Sequence, residues 1–390
     1  MTGILTSAPT SVSQSLMLAE IGLLLLVLGV SAFFASKFKF SVVPVYLVLG
    51  LALGEGGLVP LSLSEEFLTT GAQIGAILLL LLLGLEYSGP ELASAIKKRR
   101  SVGVIDFLAN AIPGAAVALV LGWGFIGAIL LGGITYVSSS GIAAQLIRES
   151  GWQRSELSRR VTSALVIEDL ALAPYLPLLT ALISGASAMT GLISVSLAIA
   201  MTALALVVSF KGENALGKIL NTQSPGALLL TVFGAALAAA GAAELVGFSS
   251  AVAAFLVGLV LTGEVANTVR GRLAPLRDLF AAIFFLFFGL GVNPIDIPAA
   301  LPLALLLAVL GIAGKMFTGW WLAKDMSDSM AWYRAGAFLI PRGEFSIVIA
   351  ALAAQSALGG QIQTVTLTYV LLTTVASSIV LRLFRSKFEA

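Results

Sequence analysis

The sequence predicts an all-α polytopic membrane protein with thirteen transmembrane helices, inverted repeats and two broken crossing helices. Three observations predict it. The 390 residues are 58% hydrophobic and only 11% charged, against roughly 25% charged in a soluble domain, so the bilayer is the solvent. The Lys and Arg residues fall on one side of the successive apolar runs. Short motifs recur in the same order at a nearly constant offset. In lipid every backbone group must be paired within its own segment, which selects helices, and the alternating pattern of a membrane barrel is absent.

A span needs about 20 apolar residues at 1.5 Å rise each. Residues 1–15 contain no Lys or Arg, so the basic start of a signal peptide is missing, and 16–36 reads as a retained first helix. It is followed by Lys37 and Lys39. The next runs are 40–59 and 67–88, the latter followed by Lys97, Lys98, Arg99 and Arg100. Spans 101–121 and 124–148 come next, and Arg148, Arg154, Arg159 and Arg160 surround the loop after them. Spans 156–183 and 188–210 end before Lys211 and Lys218. Spans 225–243 and 246–263 end before Arg270, Arg272 and Arg277. Spans 276–293 and 298–323 end before Lys324 and Arg334. Spans 331–356 and 362–384 come last, with Arg382, Arg385 and Lys387 at and just beyond the end of the second. The loops after the even-numbered helices hold no basic residue. The positive-inside rule therefore puts the N-terminus outside and the C-terminus in the cytoplasm of a plasma membrane. Of the 22 Lys and Arg, two remain, Lys315 and Arg342, and both fall inside spans.

The repeat is read from three pairs. FSVVPVYLVLGLALGE (40–55) matches FSSAVAAFLVGLVLTGE (248–264) at an offset of 208. LLLLLGLE (79–86) matches FFLFFGLG (284–291), placing Gly84 against Gly289 at an offset of 205. ITYVSSSGIAA (134–144) and LIPRGEFSIVIA (339–350) each interrupt a helix at a similar offset. Helix 2 then corresponds to helix 9. An odd shift makes the two copies cross the membrane in opposite senses, the arrangement of secondary transporters whose site lies where broken helices meet.

Thr135, Ser138, Ser139, Ser140 and Gly141 lie in the first interruption, and Pro341, Arg342, Gly343 and Glu344 in the second. Pro removes a backbone donor and Gly is a poor helix former. Unwound backbone at that depth must be covered by protein or water, and its carbonyls and hydroxyls are hard ligands suited to a cation. The serines suit a ligand set and helix–helix packing by small residues equally. Arg342 and Glu344 suit an ion pair that caps the broken ends, remote from any substrate.

The run TSALVIEDLALAPYLPLL (162–179) holds two adjacent acids, Glu168 and Asp169, in mid-span. A charge there costs about 2.5–3.5 kcal/mol on insertion scales. Neighbours on a helix are about 100° apart, so one acid can face a cavity while the other faces a partner helix. Lys315, in LGIAGKMFTGWW, is the mid-span partner expected for an acid, and each lowers the other's cost. A carboxyl group shielded from water holds its proton more readily, and once ionised it binds a monovalent cation. A group that takes either occupant supplies the chemistry of exchange.

The chain has no Cys and no His, which removes disulfides, thiol redox chemistry, zinc sites and His-based triads. A net charge of +2 suggests no nucleic-acid partner. An enzyme is not expected: an intramembrane aspartyl protease needs Asp on two helices, and Asp169 is read as having no such partner. No cofactor is expected beyond the transported ions. A gated potassium channel without proton coupling is the alternative, and it needs a continuous polar pore.

The pieces YLVLGLALGEGGL, GAILLLLLLGLEYSGPEL, SSSGIAAQLIRESG, ALVIEDLALAP, GFSSAVAAFLVGLVLTGE and IPRGEFSIVIAALA together resemble the monovalent cation:proton antiporter-2 family, which includes Kef-type potassium efflux systems and bacterial sodium/proton exchangers. The resemblance implies an NhaA-like elevator fold acting as a homodimer. It implies a scaffold of 16–100 and 225–293, a transport core of 101–183 and 298–384, and a linker helix at 188–210. Asp169 matches the family's aspartate that binds cation and proton, and Lys315 matches the lysine that pairs with the preceding acid in sodium exchangers. Glu168 departs from the Gln of Kef-type relatives. The substrates implied are H⁺ with K⁺, slightly favoured, or Na⁺. A separate cytoplasmic regulatory subunit is a further expected partner, since the nucleotide-binding domain of Kef-type relatives does not follow LFRSKFEA.

Overall fold

The computed structural model describes residues 8–38, 41–54, 56–57, 65–85, 89–152, 154–184, 224–245, 249–261 and 263–383, with single positions at 196, 200, 201, 204 and 207. Among the described residues it is all-helical. Ten segments are long and apolar enough to cross a membrane, and Val42–Leu53 and Ser250–Val260 are shorter apolar helices. The expected linker helix at 188–210 lies, those single positions apart, outside the described residues.

The helices are α1 (Ala8–Lys37), α2 (Val42–Leu53), α3 (Glu65–Leu85), α4 (Gly89–Val120), α5 (Gly124–Tyr136), α6 (Ser140–Glu149) and α7 (Glu156–Ser184). After the undescribed stretch come α8 (Pro225–Leu245), α9 (Ser250–Val260), α10 (Gly263–Leu290), α11 (Ile297–Ala323), α12 (Ala331–Leu339), α13 (Glu344–Leu352) and α14 (Gly359–Leu383). The two interrupted spans are thus each a pair of half-helices, α5–α6 and α12–α13, separated by non-helical backbone at 137–139 and 340–343.

The 97–100 cluster, with Arg270 and Arg272, falls between the expected spans but lies within helices. The helix of span 4 begins at Gly89 and takes in the 97–100 cluster, and α10 runs from Gly263 through Arg270, Arg272 and Arg277. Lys and Arg are good helix formers. Long basic side chains can run their stems along apolar surface and still reach water, so a basic cluster does not of itself end a helix.

Packing divides the helices into two groups. In the first, α3 and α2 pack on α10, α3 and α8 pack on α9, and α1 lies against α2. Apolar surface gives no hydrophobic attraction between helices in lipid, so close approach must supply it. Gly50 of α2 meets Gly289 of α10, and Gly84 of α3 meets Gly258 of α9. A Cβ added at Gly50 would fall on the Leu286 carbonyl, and one at Gly84 on the Phe255 carbonyl. In the second group α4 packs on α5 and α11, α11 on α12 and α14, and α13 on α5 and α14. The groups touch through α7–α9, α2–α14 and α10–α13. Leu18, Leu23, Leu26, Phe33 and Phe34 of α1 are exposed, as suits a helix facing lipid.

Candidate functional site: a charge ring beside a charged cavity

The two breaks cross in the second group, and their backbones bind each other. The Ser139 amide donates to the Pro341 carbonyl at 2.8 Å. The Ser138 hydroxyl donates to the Leu339 carbonyl at 2.8 Å, and the Ser346 hydroxyl to the Ile134 carbonyl at 2.9 Å. A Cβ at Gly343 would collide with the Ser139 side chain, so only glycine lets the breaks approach this closely. Backbone groups freed from two helices are therefore satisfied within protein, as lipid demands.

Around the crossing lies a closed ring of polar groups. Lys315 Nζ of α11 donates to both oxygens of Asp106 on α4, at 2.9 and 3.1 Å, and lies 3.1 Å from Glu168 Oε1 on α7. The Ser138 amide donates to Glu168 Oε2. The Ser138 hydroxyl accepts from the Arg342 guanidinium at 3.2 Å. Arg342 also reaches Asn110 Oδ1 at 3.4 Å, and Asn110 Nδ2 returns to Asp106 Oδ1 at 3.0 Å. Thr318 donates to Asp106 at 2.8 Å, and Arg342 Nε donates to the Tyr369 hydroxyl at 2.9 Å. Lys315 and Arg342 are 0% exposed, and Asp106 and Glu168 1%. Two carboxylates and two cations balance in a volume shielded from bulk solvent. Charges buried in this way persist only when each has a partner of opposite sign or a hydrogen bond.

Asp169, one residue past Glu168, is also buried but faces elsewhere. It lines a cavity of about 390 Å³ with Ser140, Gly141, Thr162, Glu344 and, from α10, Arg270 and Arg277. The 100° step between helix neighbours thus sends Glu168 into the ring and Asp169 to the cavity. The cavity wall joins the two helix groups, since Leu79, Leu82 and Leu83 of α3 also line it.

The residues expected from sequence separate accordingly. Glu168, Ser138, Lys315 and Arg342 meet in the ring. Asp169 and Glu344 share the cavity, and Ser139 donates to Glu344 at 2.9 Å. Thr135 does not join either group: its hydroxyl bonds the Asn110 and Leu131 carbonyls, both at 2.9 Å. Arg342 and Glu344 do not form the ion pair expected of them. The guanidinium binds the Leu339 carbonyl at the end of α12 at 3.3 Å, while Glu344 opens α13 and is held by Ser139. Asp106 is a second mid-span aspartate, so the expectation that Asp169 is the lone one is corrected. Asp106 is committed to Lys315 and Thr318. Asn110, Thr318 and Tyr369 complete the site. Asp106 and Asn110 stand four apart in the apolar run 101–121, a signal of the same kind as the acidic pair.

An apolar helix bundle whose crossing broken helices enclose balanced charges beside a cavity lined by two acids and two arginines is a membrane transporter of the secondary, ion-coupled class. The chain belongs to the sodium/hydrogen exchanger family of cation/proton antiporters: the family model described as "Sodium/hydrogen exchanger, transmembrane" matches residues 22–385. It is 29% identical over 371 residues to the K(+)/H(+) antiporter subunit KhtU of Bacillus subtilis, covering 93% of this chain and 92% of that one. It is 31% identical over 346 residues to the ammonium/H(+) antiporter subunit AmhT of Alkalihalophilus pseudofirmus, covering 86% of each. In fold it is similar to the sodium proton antiporter MjNhaP1 of Methanocaldococcus jannaschii, with a TM-score of 0.70, 19% identity and coverage of 94% of this chain and 99% of that one.

Proposed function

We propose that the chain exchanges potassium for protons, with the two competing for Asp169. The observation that carries this reading is the split between neighbouring acids: Glu168 is committed to Lys315, whereas Asp169 faces a cavity. Protonated Asp169 is neutral, and ionised Asp169 with a bound monovalent cation is neutral again, so one buried carboxyl group carries either occupant but not both. Glu344, Ser140 and Thr162 supply further oxygens on the same cavity. Potassium is favoured over sodium because the relative KhtU is named a K(+)/H(+) antiporter subunit and others are named potassium efflux antiporters.

The movement proposed is an elevator. The first helix group is the scaffold and the second the carrier, and the few helix pairs joining them suit sliding of one past the other. An inverted repeat accounts for the glycine contacts: Gly50 corresponds to Gly258 and Gly84 to Gly289, and the contacts are Gly50–Gly289 and Gly84–Gly258, one the image of the other. The positive-inside rule puts Arg270 and Arg277 on the cytoplasmic side, which makes this cavity the inward-open state in a plasma membrane. We further propose a homodimer and a separate cytoplasmic subunit, the latter supported by the word "subunit" in the names of both relatives.

Dequenching of a pH-gradient dye in everted vesicles tests the reading, with K⁺, Na⁺, Li⁺ and NH₄⁺ added in turn. K⁺ is expected to dissipate the gradient in the natural protein and not in Asp169→Asn. Undiminished exchange in that variant removes Asp169 from the mechanism. Cation flux without proton movement points to a channel instead.

A further inference from the structure

Asp169 and Glu344 share their cavity with two cations that belong to the other helix group. Arg270 and Arg277 line it from α10, which packs with α2, α3 and α8, whereas Asp169 stands on α7 and Glu344 opens α13. Seven residues are close to two helical turns, so both arginines lie on one face of α10. Arg272 is exposed, about 200° round the helix from Arg270. Arg277 Nε and Nη2 donate to Asp278 Oδ1 at 3.0 and 2.7 Å. Asp278 is its neighbour on the same helix, so that contact parks the guanidinium within the first group. The cavity therefore brings two acids and two arginines together from opposite sides of the surface along which the proposed movement runs.

We propose that Arg270 and Arg277 lock the carrier in place while Asp169 is empty, and that this lock couples the two ion movements. The inference rests on the exchange reading above, in which Asp169 holds a proton, a cation or nothing. With Asp169 empty and ionised, two carboxylates on the carrier face two guanidinium groups on the scaffold. Occupancy by H⁺ or a monovalent cation removes one net negative charge from the carrier side. Attraction across the sliding surface is then weaker, and Asp278 retains Arg277. Only a difference in interaction between the loaded and empty forms biases movement, and these arginines supply one of the right sign. Such attraction is slight at a fully exposed surface and larger where solvent is partly excluded, and Arg277 is only half-exposed. Without the lock an empty return becomes a leak. The Asp169 O–H bond forms at one face and breaks at the other, H⁺ is released there, and the bare carboxylate returns. One H⁺ then crosses per cycle with no cation in exchange.

The test uses the full chain in proteoliposomes that hold a pH-sensitive dye. The medium contains N-methylglucamine as its only cation besides H⁺, with thiocyanate as a permeant anion to compensate charge. Decay of an imposed pH gradient then reports the empty return alone, and K⁺ added afterwards reports exchange. The natural protein is expected to decay as slowly as Asp169→Asn until K⁺ is added. R270Q/R277Q is expected to decay about tenfold faster without K⁺, equivalent to a barrier lower by about 1.4 kcal/mol, and to return to the slow rate when D169N is added. R270K/R277K keeps both charges and is expected to behave as the natural protein does. R272Q removes the same charge from another face of α10 and is expected to leave decay unchanged. A double variant that exchanges K⁺ but leaks no more than the natural protein overturns the proposal, and so does one that is merely slower in exchange, the signature of a structural role. A leak that R272Q reproduces, or that survives D169N, also overturns it. Where the double variant fails to fold, R277Q alone carries the same comparison. A natural protein that decays as fast without K⁺ as with it overturns the lock with no variant at all. Absence of proton movement coupled to K⁺ or Na⁺ in the natural protein defeats the antiport reading itself.

Discussion

The two helix groups are held together by opposite means. Where α2 and α3 meet α10 and α9, backbones touch through Gly50, Gly289, Gly84 and Gly258, and the surrounding side chains are Leu, Phe, Ala and Val. Where α4, α7 and α11 meet the two breaks, four charges and three hydroxyls do the joining. Helices in lipid gain nothing from merely hiding apolar surface, so each interface needs either dispersion at close range or polar contacts. The glycine interface shows that polar groups are dispensable for assembly. Under the function proposed above, the charges of the second group serve transport, and their structural role follows from having to be balanced.

The comparison breaks most severely at a glycine. In Gly84→Val the added Cβ meets the Phe255 carbonyl and the Gly258 backbone, and no side-chain rotation relieves a clash with backbone. The expected cost is above about 4 kcal/mol, in the range reserved for such mechanisms. The check is recovery of monodisperse protein after detergent extraction, with little or none expected. Normal recovery would mean that the glycine contact is not what joins α3 to α9.

Lys315→Met is the matching test of the charged half. Removing one member of a buried ionic group costs about 3–5 kcal/mol, because partners are left uncompensated. Here Asp106 and Glu168 would both lose their ammonium. The thermal midpoint of the purified protein is expected to fall sharply. D106N/K315M is expected to regain much of it, since residues in one network do not add. A double variant no better than K315M would show that charge balance is not what the ring requires.

The same contrast explains what the sequence made legible. Span positions follow from hydropathy, and the breaks follow from Pro341, Gly343 and the Ser138–Ser140 run, because these residues oppose helix through their own covalent structure. Glu168 with Lys315 could be read because two unmatched charges in hydrocarbon must find each other. Asp106 obeys the same argument within 101–121 and was legible in principle. Thr318 and Tyr369 carried no signal: a threonine hydroxyl on a membrane helix commonly bonds back to its own turn, a tyrosine there is mostly apolar ring, and only tertiary placement turns these two toward Asp106 and Arg342. Arg342 and Glu344 misled because they are close in sequence. Successive serines on the crossing break take them separately, Ser138 the arginine and Ser139 the glutamate, and nothing in one strand of text reveals that the other break runs alongside it.

Ser139→Ala is the mildest probe of that crossing. The Ser139 hydroxyl donates to Glu344 at 2.9 Å and accepts from the Ile142 amide at 3.2 Å, capping α6. The contact of its amide with Pro341, at 2.8 Å, is backbone and survives the substitution. Loss of a serine cap costs about 1 kcal/mol, so a small fall in the thermal midpoint is expected, far below that of K315M. Because Glu344 lines the Asp169 cavity, freeing it without disturbing the ring asks whether that second acid matters to cation entry. The expected outcome is a changed apparent affinity for the driving cation with exchange retained. A variant indistinguishable from the natural protein in affinity would remove Glu344 from the cation path and leave Asp169 as the one acid the cavity needs.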